Sequence, residues 1–185
     1  MKVSREQVVE NRRRILEAAG RLFRARGFEA VTVAEVMRAA GLTHGGFYGY
    51  FPSKEALIAA ALAELVVVPA IEPVAVADYA GHYLTPAHRD DCAGGCPVAA
   101  LGAETIRQSP EARAAMTEGL RRQIARLGAG APGTDPEAAR RAAIGSWAAM
   151  VGALVLARLS DDPRLSDEVL AETRAWIGQR AGEAG

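Results

Sequence analysis

A chain of 185 residues, 50% apolar and 24% charged with zero formal net charge, has the make-up of an ordinary globular protein of one domain or one plus a small appendage. That composition argues against a disordered chain, a collagen-like repeat and a disulfide scaffold, and two cysteines point to a reducing, cytoplasmic setting. The neutrality hides an asymmetry: residues 1–54 hold ten Lys/Arg against five acids, net +5, which leaves −5 for the remainder. A polyanion partner is therefore expected for the first third alone.

The opening stretch, MKVSREQVVENRRR, carries no apolar signal segment. From Gln7 to Arg26, Ile15, Ala18, Ala19, Leu22 and Phe23 recur at helical spacing and predict one apolar face, closed by Gly27. Thr32 and Glu35 form a capping-box pattern at the start of a second helix, with Val33, Val36, Met37 and Ala40 inward. Gly41 breaks it, Thr43 is placed to cap a third short helix, and Pro52 ends that helix at Phe51. Ser53 caps a fourth helix carrying Leu57, Ala60, Ala61 and Leu65.

Pro69, Pro73 and Pro86 punctuate the next stretch, where a helix from about Val74 to Leu84 is predicted, followed by a loop from Thr85 to Cys96. Pro97 fits a first helical position, opening a helix to about Arg107. Ser109-Pro110-Glu111 opens another to about Leu127. After the loop GAGAPGTDP, Asp135 and Pro136 start a long helix to about Leu159, and Ser166 starts the last. The most apolar run, Ala142–Ala157, is short of the roughly 20 residues that cross a bilayer, so no membrane partner is expected. No strand pattern and no internal repeat is visible.

The second and third helices make a helix-turn-helix, a motif that lays its second helix in the major groove with its first residues against base edges. That second helix reads THGGFYGYF. Gly45, Gly46 and Gly49 each cost a helix about 1 kcal/mol relative to Ala. They remove bulk where a backbone nears a duplex. Thr43 and His44 can donate to phosphates or bases, and the hydroxyls of Tyr48 and Tyr50 to phosphates. Phe47 and Phe51 are expected to hold the helix to Phe23 and Leu57. The run Arg12-Arg13-Arg14 reads either as a solvated face or as a source of long-range attraction to phosphate.

Residues 10–65, through RRRILEAAGRLFRARGFEAVTVAEVMRAAGLTHGGFYGYFPSKEAL, resemble the DNA-binding domain of TetR-family transcriptional repressors. RDDCAGGCPVAALGAE resembles, more weakly, the start of a ligand-domain helix in one branch of that family. The resemblance implies phosphate contacts from Thr32, the recognition-helix aromatic at Tyr48, the basic residue of the fourth helix at Lys54, and base contacts at His44 and Gly45. Tyr50 stands where the family often has His, and Gly49 where a larger side chain is common.

One such motif is a weak reader, because each good bidentate base contact supplies only about 1–3 kcal/mol. Two copies about 34–36 Å apart on a palindromic operator give a useful site, so a homodimer is expected. Gly145 with Ala149 and Ala148 with Gly152 would let a partner helix approach closely, and Trp176 and Ile177 end a second stripe. These five positions, Gly145, Ala149, Gly152, Trp176 and Ile177, are the predicted interface, and the resemblance implies a four-helix one. Trp147 and Met150 face either that interface or an effector pocket. Cys92 and Cys96 are candidate thiols of a redox switch; with His82 and His88 they lack the spacing of a zinc site.

The expectation is an all-α chain without cofactor: a helix-turn-helix DNA-binding domain at 1–52, linked through a helix at 53–68 to an effector-binding and dimerisation domain at 69–185. Its function would be repression of a promoter, relieved by an unknown small molecule. The alternatives are a thiol oxidoreductase or redox sensor using Cys92 and Cys96, which lacks the Cys-x-x-Cys spacing and any βαβ pattern, and a ligand-independent adaptor. A stretch between Leu65 and Cys96 that is shorter than usual in the family keeps the adaptor open.

Overall fold

The computed structural model describes residues 4–67, 72–131 and 135–183. Pro69 and part of the loop before Asp135 lie outside them. The described residues contain α-helices and one 3-10 helix and no strand: α1 (Arg5–Arg26), α2 (Val33–Ala39), a 3-10 turn (His44–Gly49), α3 (Lys54–Leu65), α4 (Val76–Tyr83), α5 (Pro86–Asp90), α6 (Pro97–Thr105), α7 (Pro110–Ala129), α8 (Pro136–Leu159) and α9 (Pro163–Glu183).

The helices gather into two compact units, and the division by packing differs from the one read along the chain. Residues up to Val67 are joined by Cys96–Glu118, so α6 and the first half of α7 belong with the N-terminal helices. Linear order hides this because the returning segment comes after α4 and α5.

In the first unit α1 packs on α2, α3 and α6. Its core holds Ile15, Ala19 and Phe23 of α1, Val36 and Met37 of α2, Leu57, Ile58, Ala61 and Leu62 of α3, and Leu101 of α6. Each large side chain removed from water contributes about 1.5–3 kcal/mol before ordering costs. Two turns require glycine. Gly27 closes α1 at φ 81°, its N–H on the Phe23 carbonyl at 2.7 Å. A Cβ there would run into the Glu104 carboxylate. Gly41 turns the chain between α2 and the 3-10 segment at φ 70°. Both left-handed positions disfavour any side chain.

In the second unit α8 packs on α9, and both meet α4. Arg158 of α8 donates to the carbonyls of His88 (3.0 Å) and Arg89 (2.9 Å) at the end of α5. A cation at a helix C-terminus is favourable. Arg89 reaches Ser166 Oγ (2.9 Å) and Asp167 (2.7 Å) on α9.

Three local expectations are corrected. The loop predicted from Thr85 to Cys96 contains α5, opened by the Thr85 cap and Pro86. Ser166 does not start the last helix: α9 begins at Pro163, and the buried Ser166 hydroxyl donates to the Ala157 carbonyl at 2.7 Å. The Thr43 side chain makes no capping hydrogen bond, and the segment after it is 3-10 rather than α. The apolar run Ala142–Ala157 lies inside α8, whose 24 residues are long and apolar enough to cross a membrane by length and composition alone. A stripe of Ala139, Ala143, Trp147, Met150, Ala153, Leu154 and Ala157, buried in the second unit, makes it a bundle helix.

Candidate nucleic-acid interface

The helix-turn-helix begins at Thr32. Its hydroxyl accepts the Glu35 N–H at 3.2 Å and donates to Glu35 Oε2 at 2.8 Å, while its own backbone N–H donates to the same oxygen at 2.8 Å. Arg26 adds an ion pair to Glu35 at 2.9 Å. The Thr32 backbone, the Thr32 hydroxyl and Arg26, in that order, hold the Glu35 carboxyl down at about 2. The Thr32 side chain is thus exposed but committed to the cap.

After Gly41 and Leu42 comes the 3-10 turn. Three glycines in six residues weaken any α-helix, and i→i+3 bonds such as Gly46 N–H to the Thr43 carbonyl (3.1 Å) take over. One side of the turn is fixed. Phe47 is 1% exposed, stacks on Phe51 at 6.0 Å and joins the core with Phe23 and Leu57, as predicted. The other side is open. Thr43, His44 and Gly45 are exposed, and Tyr48 is 73% exposed. A Cβ on Gly45 or Gly49 would meet nothing within 4 Å, and one on Gly46 would make only ordinary contacts with Thr43 and Met37. Neither the interior of the protein nor the backbone conformation demands these three glycines.

Tyr50 is half-buried and its hydroxyl has an internal partner. Asn11 Nδ2 donates to Tyr50 Oη at 2.8 Å, and Gln7 Nε2 donates to Asn11 Oδ1 at 2.9 Å. Lys54, also half-buried, opens α3 beside Ser53, whose hydroxyl accepts the Ala56 N–H at 3.2 Å. Asn11 is a residue of this region that sequence reasoning misses. It does carry a signal, since it stands four residues before Ile15 on the apolar stripe of α1, where a lone amide calls for a partner.

In the second unit, Gly145 and Trp176 are exposed and Ala149 and Gly152 half-buried. A shallow groove of α8 and α9 is lined by Ala149, Gly152, Ala153, Leu156, Thr173 and Trp176, with the Glu172 carboxylate among them. Ile144, Leu156 and Leu159 add exposed apolar area on α8. Ile177 is corrected: at 1% exposure it faces the interior, one position round the helix from Trp176, and presents nothing to a partner. Trp147 and Met150 also turn inward. Trp147 lies 5.3 Å from Tyr83 and 6.1 Å from Tyr79. The thiols of Cys92 and Cys96 are half-buried and in no disulfide, with Cys92 Sγ 3.9 Å from the Arg89 carbonyl oxygen and Cys96 at the N-cap of α6. Among the described residues no group of three or more His, Cys, Asp or Glu side chains is arranged to hold a metal ion.

Residues 15–61 match the model of bacterial regulatory proteins of the TetR family, and residues 74–170 match that of the C-terminal domain of LmrA/YxaF-like transcriptional regulators. The chain belongs to the TetR family. TetR-family members are DNA-binding transcriptional regulators and not enzymes, which removes the oxidoreductase alternative. A solved TetR regulator from Chloroflexus aurantiacus J-10-FL is 26% identical, with a TM-score of 0.69 over 94% of this chain and 97% of that one. One from Legionella pneumophila, 19% identical, shares the fold at a TM-score of 0.72 over 97% and 99%. The uncharacterised regulator YdgC of Bacillus subtilis (strain 168) is 49% identical over 51 residues, 28% of this chain and 26% of YdgC. TtgR of Pseudomonas putida is 39% identical over 62 residues, 34% of this chain and 30% of TtgR. The chain thus aligns with less than a third of the length of these curated relatives.

Proposed function

We propose that the chain is a ligand-responsive repressor that binds a palindromic operator as a homodimer in the cytoplasm. The observation that carries this is the two-sided 3-10 turn: Phe47 and Phe51 fix it in the core, while His44, Gly45, Tyr48 and Gly49 face outward with no internal reason for the glycines. A duplex supplies that reason, because a backbone without Cβ atoms comes closest to the groove floor. In this reading Thr43, His44, Gly45 and Gly46 meet base edges, and Tyr48, Tyr50 and Lys54 meet phosphates. Thr32, its hydroxyl held by Glu35, contributes its place at the N-terminus of α2. Residues 1–52 with the linking helix form the DNA-binding part, and 69–185 the effector and dimer part.

The exposed apolar strip of α8 and α9, with Trp176 at 44% and Leu159 at 75% exposure, supports pairing of two copies through these helices. The effector is assigned to the aromatic surroundings of Trp147, whose Nε1–H is buried with no hydrogen-bond partner among the described residues. An acceptor on a ligand would satisfy that donor. Release of the operator then needs an effector that binds a second state of the dimer more tightly than the DNA-bound one.

The test is selection of bound DNA from a random duplex library. The expected product is an inverted repeat with half-sites about one helical turn, 34–36 Å, apart. No enrichment over the starting library would overturn the proposal.

A further inference from the structure

Two consecutive residues of α1 grip two consecutive residues at the end of the recognition segment. Asn11, 7% exposed, donates from Nδ2 to Tyr50 Oη at 2.8 Å. Next to it, the Arg12 guanidinium lies over the ring of buried Phe51, 4.6 Å from the centroid. The two contacts differ in chemistry, but both tie α1 to the end of the helix-turn-helix. With the Asn11 amide oriented by its bond from Gln7, Tyr50 Oη is an acceptor within the protein, and its own hydrogen is left to donate elsewhere. Arg12 is exposed, held in place by the aromatic face, and pairs with no carboxylate among the described residues.

The neighbouring arginines are placed differently. Arg13 is engaged by Glu10 at 2.7 Å and Glu17 at 3.1 Å on the helix surface, so its charge is locally compensated. The Arg14 guanidinium lies against Gly41. Of the run Arg12-Arg13-Arg14, Arg12 alone combines exposure, a rigid seat and an uncompensated charge beside the recognition segment.

We propose that Arg12 and Tyr50 form a preassembled clamp for a backbone phosphate of the duplex, with Asn11 as the positioning residue that aims the Tyr50 hydroxyl. This rests on the DNA-binding reading and adds to it a contact from α1 and a division of labour within the arginine run. A seated guanidinium and a pre-oriented hydroxyl lose little freedom on binding, and a phosphate oxygen accepts from both. The contact fixes register on the duplex and carries no base information.

The experiment measures binding of the full-length protein to a fluorescein-labelled mixed-sequence duplex by anisotropy, between about 50 and 200 mM salt. Each lost phosphate contact reduces the slope of log K against log salt by about 0.9, or about 1.8 for two copies. Arg12→Ala is expected to reduce the slope by that amount, and Arg13→Ala to leave it as in the parent. Tyr50→Phe and Asn11→Ala are expected to weaken binding by similar factors, with the double variant no weaker than either single one. A purely structural role for Asn11 predicts instead that the two losses multiply. If Arg12→Ala keeps the parent slope while Lys54→Ala lowers it, the clamp is wrong and the DNA-binding reading stands. If the parent binds no duplex with any salt dependence, both fall.

Discussion

Glu104 offers a sharp test of how α6 is held in the first unit. Its Oε2 accepts the backbone N–H of Phe28 at 2.7 Å, and Phe28 is fully buried. The bond itself is part-buried. In Glu104→Ala the Phe28 N–H loses its protein acceptor, which costs up to about 1–3 kcal/mol, the full amount applying where solvent does not take the acceptor's place. In a chain of this size 1 kcal/mol moves the melting temperature by about 2–4 °C, so a central cost of about 2 kcal/mol lowers it by about 4–8 °C. Glu104→Gln keeps an oxygen acceptor but not the charge, and should lose about half as much. The assay is thermal unfolding followed by circular dichroism at one fixed protein concentration, since a dimer's melting depends on it. Amide hydrogen exchange at Phe28 is the site-specific readout and should quicken in Glu104→Ala. Melting of Glu104→Ala within about 1 °C of the parent would refute the reasoning.

Further predictions concern the cap, the recognition turn and the α8–α9 face. Glu35 has its carboxyl lowered from 4.5 to about 2 in the folded chain. Its stabilisation is therefore fully present above pH 4.5 and lost as pH falls toward 2. Glu35→Gln should melt below the parent at neutral pH, with the gap closing through that window; a gap independent of pH would contradict the cap. Gly45→Ala places a Cβ in open space. Stability should hold or rise by up to about 1 kcal/mol, while duplex affinity falls at least tenfold; undiminished affinity would show that the backbone does not approach DNA there. Trp176→Glu adds a charge to the exposed α8–α9 face, and sedimentation should find single subunits with the parent's helix content. A dimer that survives the change would place the interface elsewhere.

Most of the helices can be read from the sequence because their ends are marked by local chemistry: Thr32 with Glu35, Ser53, Pro97, and Asp135 with Pro136 each satisfy helix-terminal donors or suit the first turn. α5 and the start of α9 are harder. Pro86 and Pro163 signal a helix start as well as a break, and Ser166, a good cap by type, instead bonds a carbonyl of the preceding helix. The assignment of 96–118 to the first unit comes from packing, with α6 on α1 and Leu101, Ala112 and Met116 in the shared core, which no local pattern contains. At the site, the open side of the recognition turn is legible from its three glycines and Tyr48. The internal partner of Tyr50 is not, because it lies on another helix 39 positions away. Ile177 is misplaced by the sequence pattern because one residue is about 100° of helix, and a stripe of alternating faces does not say which neighbour points inward.

The most direct measurement is sedimentation of the purified protein with and without a labelled duplex carrying the selected site. A stable dimer is expected, joining the duplex as two chains per site and leaving it as salt rises. A lone subunit, or a dimer that sediments apart from every duplex in dilute buffer, would contradict the central claim.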